Sequence, residues 1–183
     1  MSTLRVNNLQ AVGGTGTITV PTGNKVVQTG AVLQVVSTTK SDRFQTTSTS
    51  YVDVTGLSAT ITPSATSSKV LVIVHLQANG NNLGFHRAQM LRDSTVINVG
   101  DAAGNRSRVT MMGMATTSLY GQNQSTAFLD SPNTTSATTY KIQIRTSTDY
   151  GTGQIAVNGV FDDGDAATSW RSVSSITLME VAG

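Results

Sequence analysis

The chain has 183 residues, of which 12% are charged, and its formal net charge at pH 7 is +2. The basic residues are scattered singly, so no cluster is available to neutralise nucleic-acid phosphates, and the lack of Cys excludes disulfides, thiolate nucleophiles and Cys-based zinc sites. The N-terminus has no apolar signal region and no run approaches the roughly 18 residues of a membrane span, so we expect neither nucleic-acid binding nor membrane insertion.

Residue composition favours an all-β fold with one core. Ser and Thr are abundant and Glu180 is the only Glu, so the straight-chain residues that cover solvated helical faces are few. Thr, Val and Ile suit a pleated, half-buried surface instead. Turn signals recur at short spacing and no segment keeps a 3.6-residue period. We therefore predict an antiparallel β-sandwich of about eight to ten strands.

The N-terminal segment differs from the rest of the chain. Several glycines surround one short β-patterned run, TITV at 17–20, and little apolar surface is available for burial. Such a segment does not offset its ordering entropy, about 1 to 2 kcal/mol per residue, unless it packs against something else. We predict that residues 1–31 form an attachment arm and that residues 32–183 form the sandwich domain.

Beyond the arm, β-patterned runs alternate with turn signals. The predicted strands are 25–37, 51–54, 57–62, 69–77, 86–93, 94–99, 109–120, 126–130, 139–146, 153–159 and 172–181. Alternation is clean at 139–146, where Tyr140, Ile142 and Ile144 share one face. The sequence predicts turns at TG 55 and at the Gly/Asn cluster 79–84. Asp93 and Ser94 are expected at the tip of a tight hairpin.

The run KVLVIVHLQ at 69–77 is apolar on both of its faces, with Leu71, Ile73 and His75 on the second face. In a two-layer sandwich that face needs a cover, and an all-β chain offers no helix for it. Either a loop or the arm lies over it, or these residues meet other copies of the chain. Burial contributes roughly 1.5 to 3 kcal/mol per aliphatic side chain. We therefore expect Leu71, Ile73 and His75 at a trimer interface.

Several strings of the domain resemble the jelly-roll domain of tailed-bacteriophage fibre and virion-surface proteins. They are YVDVTGLSATITPSATSSKVLVIV, MLRDSTVI, LDSPNTTSATTYKIQIR and SITLMEVAG, and the resemblance covers residues 32–183. In that group the domain is similar in build to the trimeric tumour-necrosis-factor and C1q jelly rolls, whose inner sheets pack about a threefold axis. The resemblance implies a homotrimeric jelly roll that needs no cofactor.

The stretch GTGTITVPTGNKVVQTGAVLQVV resembles the opening of short phage virion proteins, in which the arm fastens the trimer to the particle. The resemblance implies that Thr17, Ile18 and Val20 contact other virion proteins, and that the chain is a virion component assembled in the host cytoplasm. Its leading function is then a short tail fibre whose knob recognises the host surface. The alternative is a capsid decoration or cement protein, or a head fibre.

Signals for catalysis are weak, and we expect no enzyme. His75 and His86 are the only histidines, so a catalytic triad has few ways to form. Three copies of His75 near a threefold axis are one way to bind a cation, although a single His at such a place more often serves structure.

The segment FDDGDAATSW at 161–170 gathers Asp162, Asp163 and Asp165 around Gly164. Its spacing does not match the twelve-residue calcium loop, so we favour a solvated loop over a metal site. The same carboxylates as the acid and nucleophile of a glycan depolymerase are a weaker alternative, because a Gly-containing loop holds them poorly.

Two loops at sheet ends, 79–87 and 101–108, are candidates for host contact. Loops on a rigid sandwich often display recognition residues, and Asn and Arg side chains suit sugar hydroxyls. We predict that Asn81, Asn82 and Arg106 face the receptor.

Overall fold

The computed structural model describes residues 28–81, 85–114, 121–147 and 153–183. Within these ranges every regular element is a strand, and none is a helix able to cross a membrane. In chain order the strands are β1 (Val32–Lys40), β2 (Phe44–Thr46), β3 (Val52–Ile61), β4 (Lys69–Asn81), β5 (Phe85–Arg92), β6 (Thr95–Ile97), β7 (Met111–Met114), β8 (Gln122–Asp130), β9 (Thr138–Thr146), β10 (Gln154–Val157) and β11 (Ser174–Val181). Thr17, Ile18, Val20 and Asn82 lie outside the described residues.

The strands form two antiparallel sheets, one of six strands and one of five. The first sheet has the order β1–β11–β4–β8, and the short strands β10 and β2 continue it beside the far end of β4. The second sheet has the order β3–β9–β5, with β6 and β7 pairing with opposite ends of β5. Each strand from the first half of the chain thus lies beside strands from the second half. This is the arrangement of a jelly roll, so the predicted fold class is confirmed.

The inward faces of the two sheets share one core. Its members include Val70, Val72, Val74 and Leu76 from β4, and Tyr140, Ile142 and Ile144 from β9. All of these are fully buried, as the sequence alternation predicts. The faces that point away from this core are therefore the ones left for contacts with other molecules.

The predicted turn at TG 55 is wrong, because Gly56 lies inside strand β3. Its φ is 83°, and the pairing register of β3 with β9 shifts between Asp53 and Ser58. A residue without Cβ adopts this conformation easily, so the chain bulges and then continues along the same partner strand.

The loop predicted at 79–84 does not begin at residue 79. Strand β4 continues to Asn81, which pairs with Gln154 of β10. The prediction that Asn81 is a loop residue is therefore wrong. Strand β11 accompanies β4 only as far as His75, and β10 then supplies a new partner, so β4 extends beyond the point where the Gly/Asn cluster predicts its end.

The predicted hairpin between β5 and β6 is confirmed. Asp93 lies in its turn with a φ of 52°, a conformation that Asp tolerates better than most residues. Its backbone N–H donates to the Thr139 carbonyl oxygen at 2.7 Å, and its Oδ1 accepts from the Thr139 backbone N–H at 2.9 Å. The turn is thereby fastened to β9.

A buried carboxylate fastens the connection between β3 and β4 to β11. Glu180 is 1% exposed; its Oε1 accepts hydrogen bonds from the Ser64 N–H, the Ser64 hydroxyl and the Ser68 hydroxyl, and its Oε2 accepts one from Gln34. Burial by itself raises the pKa of a carboxyl group, but the donated hydrogen bonds outweigh it and lower the pKa of Glu180 to about 2.

A second buried carboxylate joins the two sheets. Asp130 of β8 accepts hydrogen bonds from the Arg92 guanidinium at 2.9 and 3.0 Å and from the Tyr140 hydroxyl at 2.6 Å. Burial and the neighbouring Asp130 raise the pKa of Tyr140, which keeps the hydroxyl protonated as a donor. Because Arg92 and Tyr140 belong to the second sheet, this cluster holds β8 against it.

His86 of β5 is a fully buried histidine opposite Gly113 of β7. A side chain at Gly113 would collide with the His86 ring and with the amides of Gln122 and Gln124, so glycine leaves the room that the ring occupies. Burial lowers the pKa of His86 to about 4, and the Gln124 side chain opposes this to a smaller extent.

The fold is expected to lose stability as the pH falls from 6.5 towards 4. In this range the unfolded chain protonates a histidine that the folded state keeps neutral, so about 3 kcal/mol is lost between the two pKa values and is fully present above pH 6.5. Urea unfolding at several pH values measures the slope. His86→Gln should flatten it, and an equally steep slope in that variant would show that other groups cause it.

Candidate functional site

The outer face of the first sheet carries an apolar row across its full width. Val35 of β1 pairs with Met179 of β11, Met179 pairs with Leu71 of β4, and Leu71 pairs with Leu129 of β8. Because directly paired residues point to the same face, these four side chains lie side by side on the outside of the sandwich.

Two further rows follow it along the strands on one side, and on the other side lie Val181 and Lys69. The second row is Ser37, Thr177, Ile73 and Ala127, and the third row is Thr39, Ser175, His75 and Ser125. We call the three rows the outer patch. It contains no Asp, Glu, Lys or Arg, and most of its polar groups are small hydroxyls. The structure thus brings together the predicted interface residues Leu71, Ile73 and His75 on one uncharged surface.

Exposure within the outer patch is highest towards its edges. Val35 is 54% exposed and Leu129 is 52% exposed, whereas Ile73 is 36% exposed and Leu71 is half-buried. Neighbouring strands already shield part of Leu71 and Ile73. Covering these two side chains further therefore contributes less free energy than burying a fully exposed side chain would. Val35 and Leu129 gain more, although no pattern in the sequence marks them as interface residues.

Within the described residues, the loop that contains Trp170 covers the same face at the far end of β4. The Trp170 ring and the Gln77 amide both lie so close to Gly121 that a side chain at that position would collide with them. Gln77 is accordingly buried. Within the described part of the chain, intramolecular cover therefore accounts for Gln77, while Ile73 and Leu129 stay open to contact.

The outer face of the second sheet is polar and charged. Asp53 accepts hydrogen bonds from Lys141 at 2.9 Å and from Gln143 at 2.7 Å, and the Lys141 contact contributes most to lowering the pKa of Asp53. The Arg145 guanidinium lies 5.2 Å from the centre of the Tyr51 ring. This face has the character of a solvated surface, whereas the outer face of the first sheet suits contact with another protein.

Arg106 lies in the loop between β6 and β7, where it is exposed and donates to the Ala103 carbonyl oxygen at 3.2 Å. Its placement in a loop agrees with the sequence analysis. Asn81 lies in strand β4 instead. Of the three residues predicted to face a receptor, only Arg106 therefore belongs to a loop that the structure describes.

The loop between β10 and β11 carries the acidic segment of the sequence, with Asp162, Asp163 and Asp165. Asp163 forms ion pairs with Arg171 and with Arg43, whose Nε lies 3.4 Å from its Oδ2. Among the described residues, no group of three His, Asp or Glu side chains is placed to hold a metal ion. Asp163 thus links this loop to Arg43 and Arg171.

No family model and no curated protein matches the chain. Among solved structures it is similar to chains from virus particles. One is from infectious bursal disease virus, Gt strain, with 17% identity and a TM-score of 0.46 over 91% of this chain and 42% of that one. The Gx strain gives 17% and 0.42 over 81% and 37%, and the VP2 subviral particle of the virus gives 18% and 0.39 over 81% and 37%.

The chain therefore spans less than half the length of these viral chains. At identities of 17 to 18% and TM-scores of 0.46 or lower, the likeness assigns neither a function nor an assembly to it.

Proposed function

We propose that this chain is a structural protein of a tailed-bacteriophage particle and that it assembles as a homotrimer through the outer patch. The observation that carries the proposal is the composition of this face, which has an apolar row across the whole sheet and no Asp, Glu, Lys or Arg in the three rows. A contiguous apolar surface rimmed by polar groups is characteristic of a protein interface. The resemblance of the domain to phage fibre and virion-surface proteins supports the placement on a phage.

The energetics agree with a trimer that also uses polar contacts. Covering the exposed parts of Val35, Ile73 and Leu129 contributes about 1 kcal/mol each, or about 3 kcal/mol per subunit, because only a third to a half of each side chain is exposed. Each association step costs roughly 4 to 15 kcal/mol of rigid-body freedom. A trimer has three outer patches and forms in two association steps. The apolar contribution of the three patches offsets the cost of both steps only if each step costs close to the lower end of that range. Hydrogen bonds between the Ser and Thr hydroxyls of the second and third rows of neighbouring subunits are therefore part of the proposed interface.

In the leading form of the proposal the trimer is a short tail fibre. Residues 1–31, with Thr17, Ile18 and Val20, attach it to other virion proteins, and the jelly roll is the knob that recognises the host surface. The alternative is a capsid decoration or cement protein, or a head fibre, in which the same arm lies on the shell. A glycan depolymerase is a weaker alternative, since Asp163 is engaged by Arg43 and Arg171.

Copy number in the purified virion separates the first two functions. We expect a few trimers clustered at the tail, measured by quantitative mass spectrometry and by imaging of the whole particle. Hundreds of copies spread over the shell would replace the fibre with the decoration protein. A particle that lacks the chain altogether would contradict both.

A further inference from the structure

We propose that the loop between β10 and β11 binds a neutral glycan at Trp170. A pocket of about 290 Å³ opens on this loop and is lined by Trp170, Arg171, Ser169, Asp163 and Asp165, among others. Its volume is close to the lower end of ligand pockets, roughly 300 Å³, which suits a single sugar ring. The proposal extends the host-recognition part of the proposed function to a named site and a ligand class.

Trp170 supplies the surface on which a sugar would stack. It is the only Trp of the chain and is half-buried. The Cζ2 and Cη2 edge of its ring packs at Gly121, which fixes the ring's orientation, while the residue also lines the pocket. An indole ring offers a large apolar face, and this complements the C–H face of a hexose.

The loop is held in place before any ligand arrives. Arg43 donates hydrogen bonds to the carbonyl oxygens of Val160 at 3.0 Å and of Phe161 at 2.6 Å, and it also pairs with Asp163. Arg171 pairs with Asp163 from the other side. A pre-organised loop loses little conformational entropy on binding, so the free energy of weak sugar contacts is not reduced by the cost of ordering the loop.

The charges of the loop favour a neutral sugar over an acidic one. Two arginines face three aspartates, and Asp163 is the aspartate that they engage. Asp162 and Asp165 are exposed, and Asp165 lines the pocket, where its carboxylate can accept hydrogen bonds from sugar hydroxyls. The same carboxylate repels the carboxylate of a sialic or uronic acid. We therefore assign the site to neutral hexoses and N-acetylhexosamines.

A second, smaller pocket lies at Phe161 of the same loop. It has a volume of about 170 Å³ and is lined by Phe161 together with Gln45, Thr46 and Thr47. Like the Trp170 pocket, it places an aromatic residue beside a hydroxyl group, but it has no charged residue in its lining.

Intrinsic fluorescence tests the site directly, because emission from the only Trp reports on this pocket alone. The full chain is titrated with sialic acid for comparison, and with the methyl glycosides of glucose, galactose, mannose and N-acetylglucosamine. We expect a saturable change with at least one of them at millimolar concentration, and at least tenfold weaker binding in Asp165→Ala. Asp101→Ala is the matched control, since Asp101 is an exposed aspartate in another loop, and it should bind as the unmodified chain does.

Three results would overturn the site: no saturable change with any of the four glycosides, an unchanged titration in Asp165→Ala, or tighter binding of sialic acid than of the neutral sugars. Sedimentation of the same samples separates this site from the proposed function. A trimer that binds none of the sugars refutes the glycan site alone, whereas a monomer that binds one refutes only the trimer.

Discussion

Replacing Leu129 by Asp is expected to convert the trimer into folded monomers. Leu129 is 52% exposed in the single chain, at the β8 edge of the outer patch, so a carboxylate there stays solvated in the monomer. In the trimer each of three carboxylates would lose water, and the Lys69 ammonium group on the same face already donates to the Ser131 hydroxyl at 2.7 Å. Such burial costs several kcal/mol per ion, which exceeds the apolar contribution that it replaces. Sedimentation velocity measures the mass of the variant.

Ser58→Asp is the matched control for this substitution. Ser58 is exposed on β3 and pairs with Lys141, so it places the same new charge on the outer face of the second sheet. This variant should remain a trimer. Dissociation of both variants would mean that the first sheet has no special role, and a trimer of Leu129→Asp would place the interface elsewhere.

Replacing Glu180 by Ala is expected to lower the free energy of unfolding by about 3 kcal/mol or more. The substitution leaves the Ser64 N–H without its acceptor and removes the acceptor shared by the Ser64, Ser68 and Gln34 side chains. Each unsatisfied buried donor costs about 1 to 3 kcal/mol, although the hydroxyls can turn to other partners. Chemical unfolding monitored by circular dichroism gives the difference.

Glu180→Gln separates the charge from the hydrogen bonds, since it keeps one acceptor oxygen and should lose less stability. The pH dependence provides a second check. Because folding depresses the pKa of Glu180 from 4.5 to about 2, its contribution is complete above pH 4.5 and is lost as the pH falls towards 2. Glu180→Ala should lack this part of the acid dependence. An unchanged acid profile would show that the carboxylate does not carry it.

The core was accessible to sequence reasoning because alternation is a local property. Tyr140, Ile142 and Ile144 share a buried face as their spacing predicts, and the turn at Asp93 is marked by its residue types. The turn at Gly56 was predicted wrongly because a Thr-Gly pair is equally compatible with a turn and with a β-bulge. Only the pairing with β9 distinguishes the two. Asn81 misleads for a similar reason, since its pairing depends on distant β10.

The candidate interface was only partly accessible to sequence reasoning. Leu71, Ile73 and His75 stand out because one strand is apolar on both faces. Val35 and Leu129 give no such signal, because their place beside Leu71 and Met179 depends on the register of strands from opposite ends of the chain. The absence of Asp, Glu, Lys and Arg from the outer patch likewise becomes visible only when β1, β11, β4 and β8 lie side by side.

Sedimentation equilibrium of the unmodified chain at micromolar concentration tests the proposed assembly most directly. We predict a single species of three times the chain mass of 19.1 kDa. A single species of 19.1 kDa across the same concentrations would show that Val35, Ile73 and Leu129 stay exposed in solution, and it would contradict a trimer built on the outer patch.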